Sequence, residues 1–236
     1  MTLALLALSL NCGGETNRQL FKRYENQFAE KRQQFKKIAD LLPAPGTITG
    51  NIPANLSVKP VFNAKTKSFN TEIVMYDQLL DPDIESREQK RLDLLLSGDL
   101  LLGMKWTGPK NPMSESALDN SAGEMEQTFK KALACRYLIV LRPATFIAPV
   151  AVSESEYKPG VADIEALVVD LESNKVVGSS RFTASSANKV EYVYKQGESR
   201  ESRLEAFAYS TLYTEARQKL EKSLADMTGG EFVFER

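Results

Sequence analysis

Val161-Ala-Asp-Ile-Glu-Ala-Leu-Val-Val-Asp-Leu171 runs into Glu172-Ser-Asn-Lys175, and then into Val176-Val-Gly-Ser-Ser-Arg-Phe-Thr183. Two runs rich in β-branched residues, joined by four residues of turn chemistry, predict a tight β-hairpin. Just before it, Arg136–Phe146 has the same strand character and is broken off by Pro149. Just after it, Val190–Tyr194 is a further candidate strand. The period then changes: Leu204, Ala208, Leu212, Ala216, Leu220 and Leu224 recur every four residues, which predicts a long helix over Ser199–Met227, stopped by Gly229-Gly230. Upstream, Ser121-Ala-Gly-Glu124 has the spacing of a capping box, so a helix is expected to start there, with Met125, Phe129, Ala132 and Leu133 as its apolar face. Helix, strands, hairpin and long helix together predict an α+β fold: a mostly antiparallel sheet with helices packed on one face and a long C-terminal helix.

The amino-terminal part is less regular. Over residues 18–42, Phe21, Tyr24, Phe28, Phe35, Ile38 and Leu42 recur at steps of three and four, an amphipathic helix whose other face carries Lys22, Arg23, Arg32, Lys36 and Lys37. That basic face fits a helix on an anionic membrane, a partner-binding helix, or a helix packed on its own domain with a solvated outer side; the last is preferred. Leu42-Pro-Ala-Pro-Gly46 ends it, and residues 43–236 are expected to form the α+β domain. Leu56–Phe62 and Asn70–Tyr76 are candidate strands. Asp81-Pro82-Asp83 reads as a helix start, and the loop lacks the glycine and closing glutamate of a calcium site. Ile84–Trp106 is read as a helix interrupted near Gly98, with a hairpin as the alternative. The polar stretch from Thr107 to Asn120 is the candidate recognition loop, with Trp106, Lys110 and Asn111 as its contact side chains. It is no phosphate loop, since the glycine spacing is missing.

Composition narrows the chemistry. The 236 residues include no histidine, which removes imidazole proton shuttles, Ser-His-Asp and Cys-His nucleophiles and histidine metal sites. No metal or cofactor motif is present in the sequence. Thirty basic and thirty-one acidic side chains leave a net charge of −1, so no global field draws the chain to nucleic acid. Of two cysteines, Cys135 lies in an apolar run and is read as an inert core thiol. The paired acids Asp163 and Glu165 would share one strand face, and Glu154 and Glu156 follow Pro149; these are the only candidates for carboxylate catalysis that the sequence offers.

Residues 1–11 contain the uncharged run Thr2-Leu-Ala-Leu-Leu-Ala-Leu-Ser-Leu10, which is followed by Asn11-Cys12-Gly13-Gly14. The run is too short to span a bilayer and has the length of a signal's apolar core. Ending on a cysteine, it resembles the signal of a bacterial lipoprotein, although Ser9 and Asn11 depart from the common pattern of Leu and a small residue. The resemblance implies lipidation of Cys12, a short tether over residues 12–17, and a protein held at the cell envelope, on the outer membrane or the periplasmic face. The hairpin text Val168-Val-Asp-Leu-Glu-Ser-Asn-Lys-Val-Val-Gly178 is similar to that of small envelope lipoproteins of the curli-secretion-factor or penicillin-binding-protein-activator kind, and implies a fold analogy only. The expectation is a lipid-anchored envelope protein with a non-catalytic binding or scaffolding role. Its partners are membrane lipid through Cys12 and an envelope protein. The alternatives are an envelope enzyme using carboxylates and a cytosolic protein with an apolar amino terminus.

Overall fold

The computed structural model describes residues 14–83, 98–189, 197 and 199–234. Cys12 and its apolar run, residues 84–97 and Val190–Tyr194 lie outside the described residues, as do the expectations that fall on them.

The first helix, α1 (Asn17–Leu41), is capped by Thr16, whose side chain accepts from the Gln19 N–H while the Gln19 side chain accepts from the Thr16 N–H. This reciprocal box satisfies two donors that a helix start leaves unpaired. Next come the small strands β1 (Val61–Asn63) and β2 (Ser68–Phe69), then β3 (Thr71–Met75) and α2 (Tyr76–Leu80). After them stand α3 (Asp99–Trp106), α4 (Glu115–Leu118) and α5 (Met125–Leu133). The predicted strands appear as β4 (Tyr137–Ile147), β7 (Val161–Asp170) and β8 (Lys175–Ser185), with a two-residue pair, β5 (Val150–Ala151) and β6 (Tyr157–Lys158), between β4 and β7. The hairpin turn places Asn174 at φ 55°, a left-handed conformation that asparagine tolerates. The long helix α6 (Arg200–Thr228) stops at Gly229, φ 63°, and β9 (Glu231–Val233) closes the chain's described part.

The main sheet has the order β3-β4-β7-β8, parallel between β3 and β4 and antiparallel elsewhere. A second sheet, β2-β1-β9, pairs β1 parallel to β9. The molecule is α+β with a long C-terminal helix, and its helices cover both faces of the main sheet rather than one. Tyr137, Ile139 and Leu141 of β4 and Ala162, Ile164 and Ala166 of β7 pack under α6 through Leu212, Ala216, Leu220 and Leu224. Leu138 and Val140 of β4, with Val74 of β3, pack under α1, α3 and α5 through Phe28, Phe35, Leu100, Leu101 and Phe129. The physical reason is that both alternating sets of β4 are apolar, and a strand apolar on both sides must be covered on both. Each large side chain so buried contributes about 1.5–3 kcal/mol relative to exposure.

Two other expectations need correction. Ser121-Ala-Gly-Glu124 forms no capping box: α5 starts at Met125, Glu124 makes no side-chain cap bond, and Thr16 and Ser121 form an isolated antiparallel bridge. Nor do residues 15–17 behave as tether. The Ala122 N–H donates to the Glu15 carbonyl at 2.8 Å and the Asn17 N–H to the Asn120 carbonyl at 2.9 Å, which docks the start of α1 onto the connection before α5.

Candidate functional site

Strand β3 has one charged residue in an otherwise apolar and hydroxyl text, Thr71-Glu-Ile-Val-Met75. Alternation sends Glu72 to the same side as Val74, toward α3. There its carboxylate meets the beginning of a helix. Oε1 accepts from the Gly98 N–H at 3.0 Å and the Leu101 N–H at 3.3 Å, and Oε2 accepts from the Leu100 N–H at 3.4 Å. Gly98 is required by this approach, because a Cβ there would lie 2.2 Å from Glu72 Oε2. The junction of β3 and α3 forms the floor of a cleft of about 960 Å³. One wall is aromatic: Phe62 of β1 meets Phe69 of β2 at 5.0 Å and Phe234 at 5.5 Å between ring centroids. The other wall is α5, which presents Gln127, Thr128 and Lys131, with Asp99 of α3 near its base.

Burial pushes the Glu72 carboxyl up to about 8, against the hydrogen bonds from Leu101, Leu100 and Gly98, which favour its charged form; the negative charge of Asp99 adds to the upward shift. Asp99 itself is raised by partial burial, offset by Lys131. Cys135 also lines the cleft, and its thiol donates to the Asn70 carbonyl at 3.5 Å and the Tyr137 carbonyl at 3.2 Å. Burial, and secondarily the charge of Glu72, push this thiol well above the ordinary cysteine range, so no thiolate nucleophile is present at neutral pH. Among the described residues no group of three or more Cys, Asp or Glu side chains is arranged to hold a metal ion, and no helix is long and apolar enough to cross a membrane.

The residues singled out from sequence lie elsewhere. Trp106 ends α3 and is half-buried, stacked on Phe21 at 6.2 Å and 15° between ring planes. The Asn111 amide donates to the Trp106 carbonyl at 2.5 Å, and its oxygen accepts from the Met113 N–H at 2.8 Å, so the side chain closes a turn. Lys110 is exposed beside it. The loop thus presents Lys110, while its tryptophan belongs to the core under α1. Asp163 and Glu165 do share a strand face, but each is matched to an arginine. Glu165, fully buried, accepts from Arg142 at 2.6 Å, and Asp163 is paired with Arg181. Arg142 also donates to the Pro43 and Ala44 carbonyls, Arg181 donates to the Ile48 carbonyl, and Glu165 accepts from the Ile48 N–H. These acids therefore pin the connection after α1 onto the sheet. The guanidinium of Arg181 holds the Asp163 carboxyl below its usual range. Glu154 is exposed and paired with Arg200, and Glu156 is exposed.

Sequence reasoning passed over Glu72 and Asp99. The available signal was a lone acid inside apolar strand text, followed far along the chain by Gly98-Asp99 at a helix start; their meeting depends on the fold. No protein-family model matches the chain, and no curated protein matches it.

Proposed function

We propose that the protein is a lipid-anchored component of a bacterial cell envelope, acylated at Cys12, whose folded body binds a small ligand in the Glu72–Lys131 cleft without transforming it. The observation that carries the binding reading is the state of the cleft's reactive groups. Glu72 spends both carboxyl oxygens on the backbone of α3, and the Cys135 thiol is held protonated by burial. A cleft of about 960 Å³ with an aromatic wall and charged groups of both signs has the size and lining of a small-molecule site. The aromatic wall suits a flat or apolar portion of the ligand, and Lys131 and Asp99 suit its polar end. The anchor rests on the apolar run before Cys12 and on the nearness of the folded body, which begins within a few residues.

Two measurements test this reading. The mass of the native amino terminus should correspond to an acylated Cys12, and Cys12→Ala should release the protein from membranes. Native mass spectrometry of protein extracted in mild detergent should find a retained small molecule that Lys131→Glu releases. An initiator methionine followed by an unmodified chain defeats the anchoring. Steady turnover of the retained molecule by the wild-type protein defeats the non-catalytic reading.

A carboxylate enzyme is the second reading. Glu72 and Asp99 share the cleft and burial raises both carboxyls, Glu72 to about 8, a value suited to acid-base work at neutral pH. Turnover abolished by Glu72→Gln, with the fold retained, is the outcome that selects it.

A further inference from the structure

We infer that Glu72 is a proton-operated latch on the cleft: protonated, it holds the first turn of α3 against strand β3, and ionised, it favours a state in which that turn has lifted and the carboxylate meets water. The geometry comes first. The residue is 4% exposed, and it ties the sheet edge to three N–H groups at the helix start, those of Gly98, Leu100 and Leu101. A dry carboxylate is costly, and the junction borders the cleft. Lifting the first turn of α3 opens the floor of the cleft and hydrates the group.

The surroundings favour the same direction. Asp99, on the first turn of α3, repels a charge on Glu72, and Lys131 of α5 acts chiefly on Asp99. Cys135, which follows α5, remains a neutral thiol, and Lys31 of α1 bears on that thiol. Among the described residues, the backbone N–H groups at the start of α3 favour the ionised form in place. With the carboxyl at about 8 when latched and in the ordinary glutamate range of about 4.3 once hydrated, protons favour the latched state. The sign follows: the latched state has its full advantage below the hydrated carboxyl's range. That advantage falls by up to tenfold per pH unit as pH rises toward about 8, and is level above it. The latch does not rest on acylation of Cys12 or on any ligand in the cleft.

Amide hydrogen exchange on the full chain, followed from pH 5 to pH 9 and corrected for intrinsic rates, reads the latch directly. The protection of Leu100 and Leu101 is expected to fall steeply with rising pH, relative to Phe129 in α5 and Leu138 in β4. Glu72→Gln should flatten that fall, since its amide cannot ionise. Asp99→Asn, which removes the neighbouring charge and so lowers the latched carboxyl, should make the fall level off at lower pH while leaving its onset and steepness. A level wild-type profile overturns the proposal, and so does a Glu72→Gln profile that keeps the wild-type slope. Should Glu72→Gln fail to fold, an unmoved profile in Asp99→Asn overturns it instead.

Discussion

At the scale of single residues, the most consequential groups are acids that have left water. Glu72→Ala removes the acceptor for three N–H groups at the start of α3 and is expected to cost roughly 1–3 kcal/mol in urea unfolding, whereas Glu72→Gln retains an acceptor and costs less. Glu165→Gln is the harsher change: it leaves the Arg142 guanidinium buried without its counter-charge, and the expected loss is about 3–5 kcal/mol. The pH dependence of the same unfolding experiment reads the neighbouring Asp163. Because the Asp163 carboxyl is held low by Arg181, its contribution is complete above the ordinary aspartate range and is lost as pH falls through its lowered value. Asp163→Asn is therefore expected to flatten part of the acid limb of stability. The shared face of Asp163 and Glu165 was legible in the sequence, since alternate strand residues face one way. Their partners were not, because the pairing of Arg142 with Glu165 across β4 and β7, and of Arg181 with Asp163 across β7 and β8, depends on strand register.

At the scale of elements, caps and stops offer the cleanest tests. Thr16→Ala removes the reciprocal box at the start of α1 and should lower stability by about 1 kcal/mol. Gly229→Ala forces a Cβ onto a left-handed residue at the end of α6 and should cost on the order of 1 kcal/mol. Both are measured by the midpoint of thermal or urea unfolding. The long elements were legible because each carries its own period: fours in α6, threes and fours in α1, turn residues in the β7–β8 hairpin. The starts of helices were less so. Thr16-x-x-Gln19 and Ser121-x-x-Glu124 have the same spacing, and only the first is a box, because α5 starts at Met125 and leaves Glu124 at the cap instead of inside the first turn. The coverage of both sheet faces was also hidden, since α1 and α3 reach the sheet from the distant half of the sequence. Glu72 stood in plain text, yet its significance depends on α3 arriving above it.

At the scale of the whole molecule, the sheet separates two apolar cores, and α1 runs along one of them for about 37 Å. Its start is docked at residues 117–122, and its end is received by Arg142 in the middle of β4. Ile147, Val150 and Val152, all exposed, lie beyond that point, so they and the start of α1 occupy opposite ends of the body. Under the proposed acylation of Cys12, lipids with spin-labelled headgroups are expected to broaden the resonances of Ala117 and Asn120 most and those of Ile147 and Val150 least; the reverse order would contradict that anchoring. The docking of Glu15 has a mechanical corollary. Three peptide steps from Cys12 to Glu15 reach about 11 Å at full stretch. A fatty cysteine on so short a leash would give the body no room to swing away, and it would ride flush on the bilayer with α4 underneath and the β4–β5 tip uppermost.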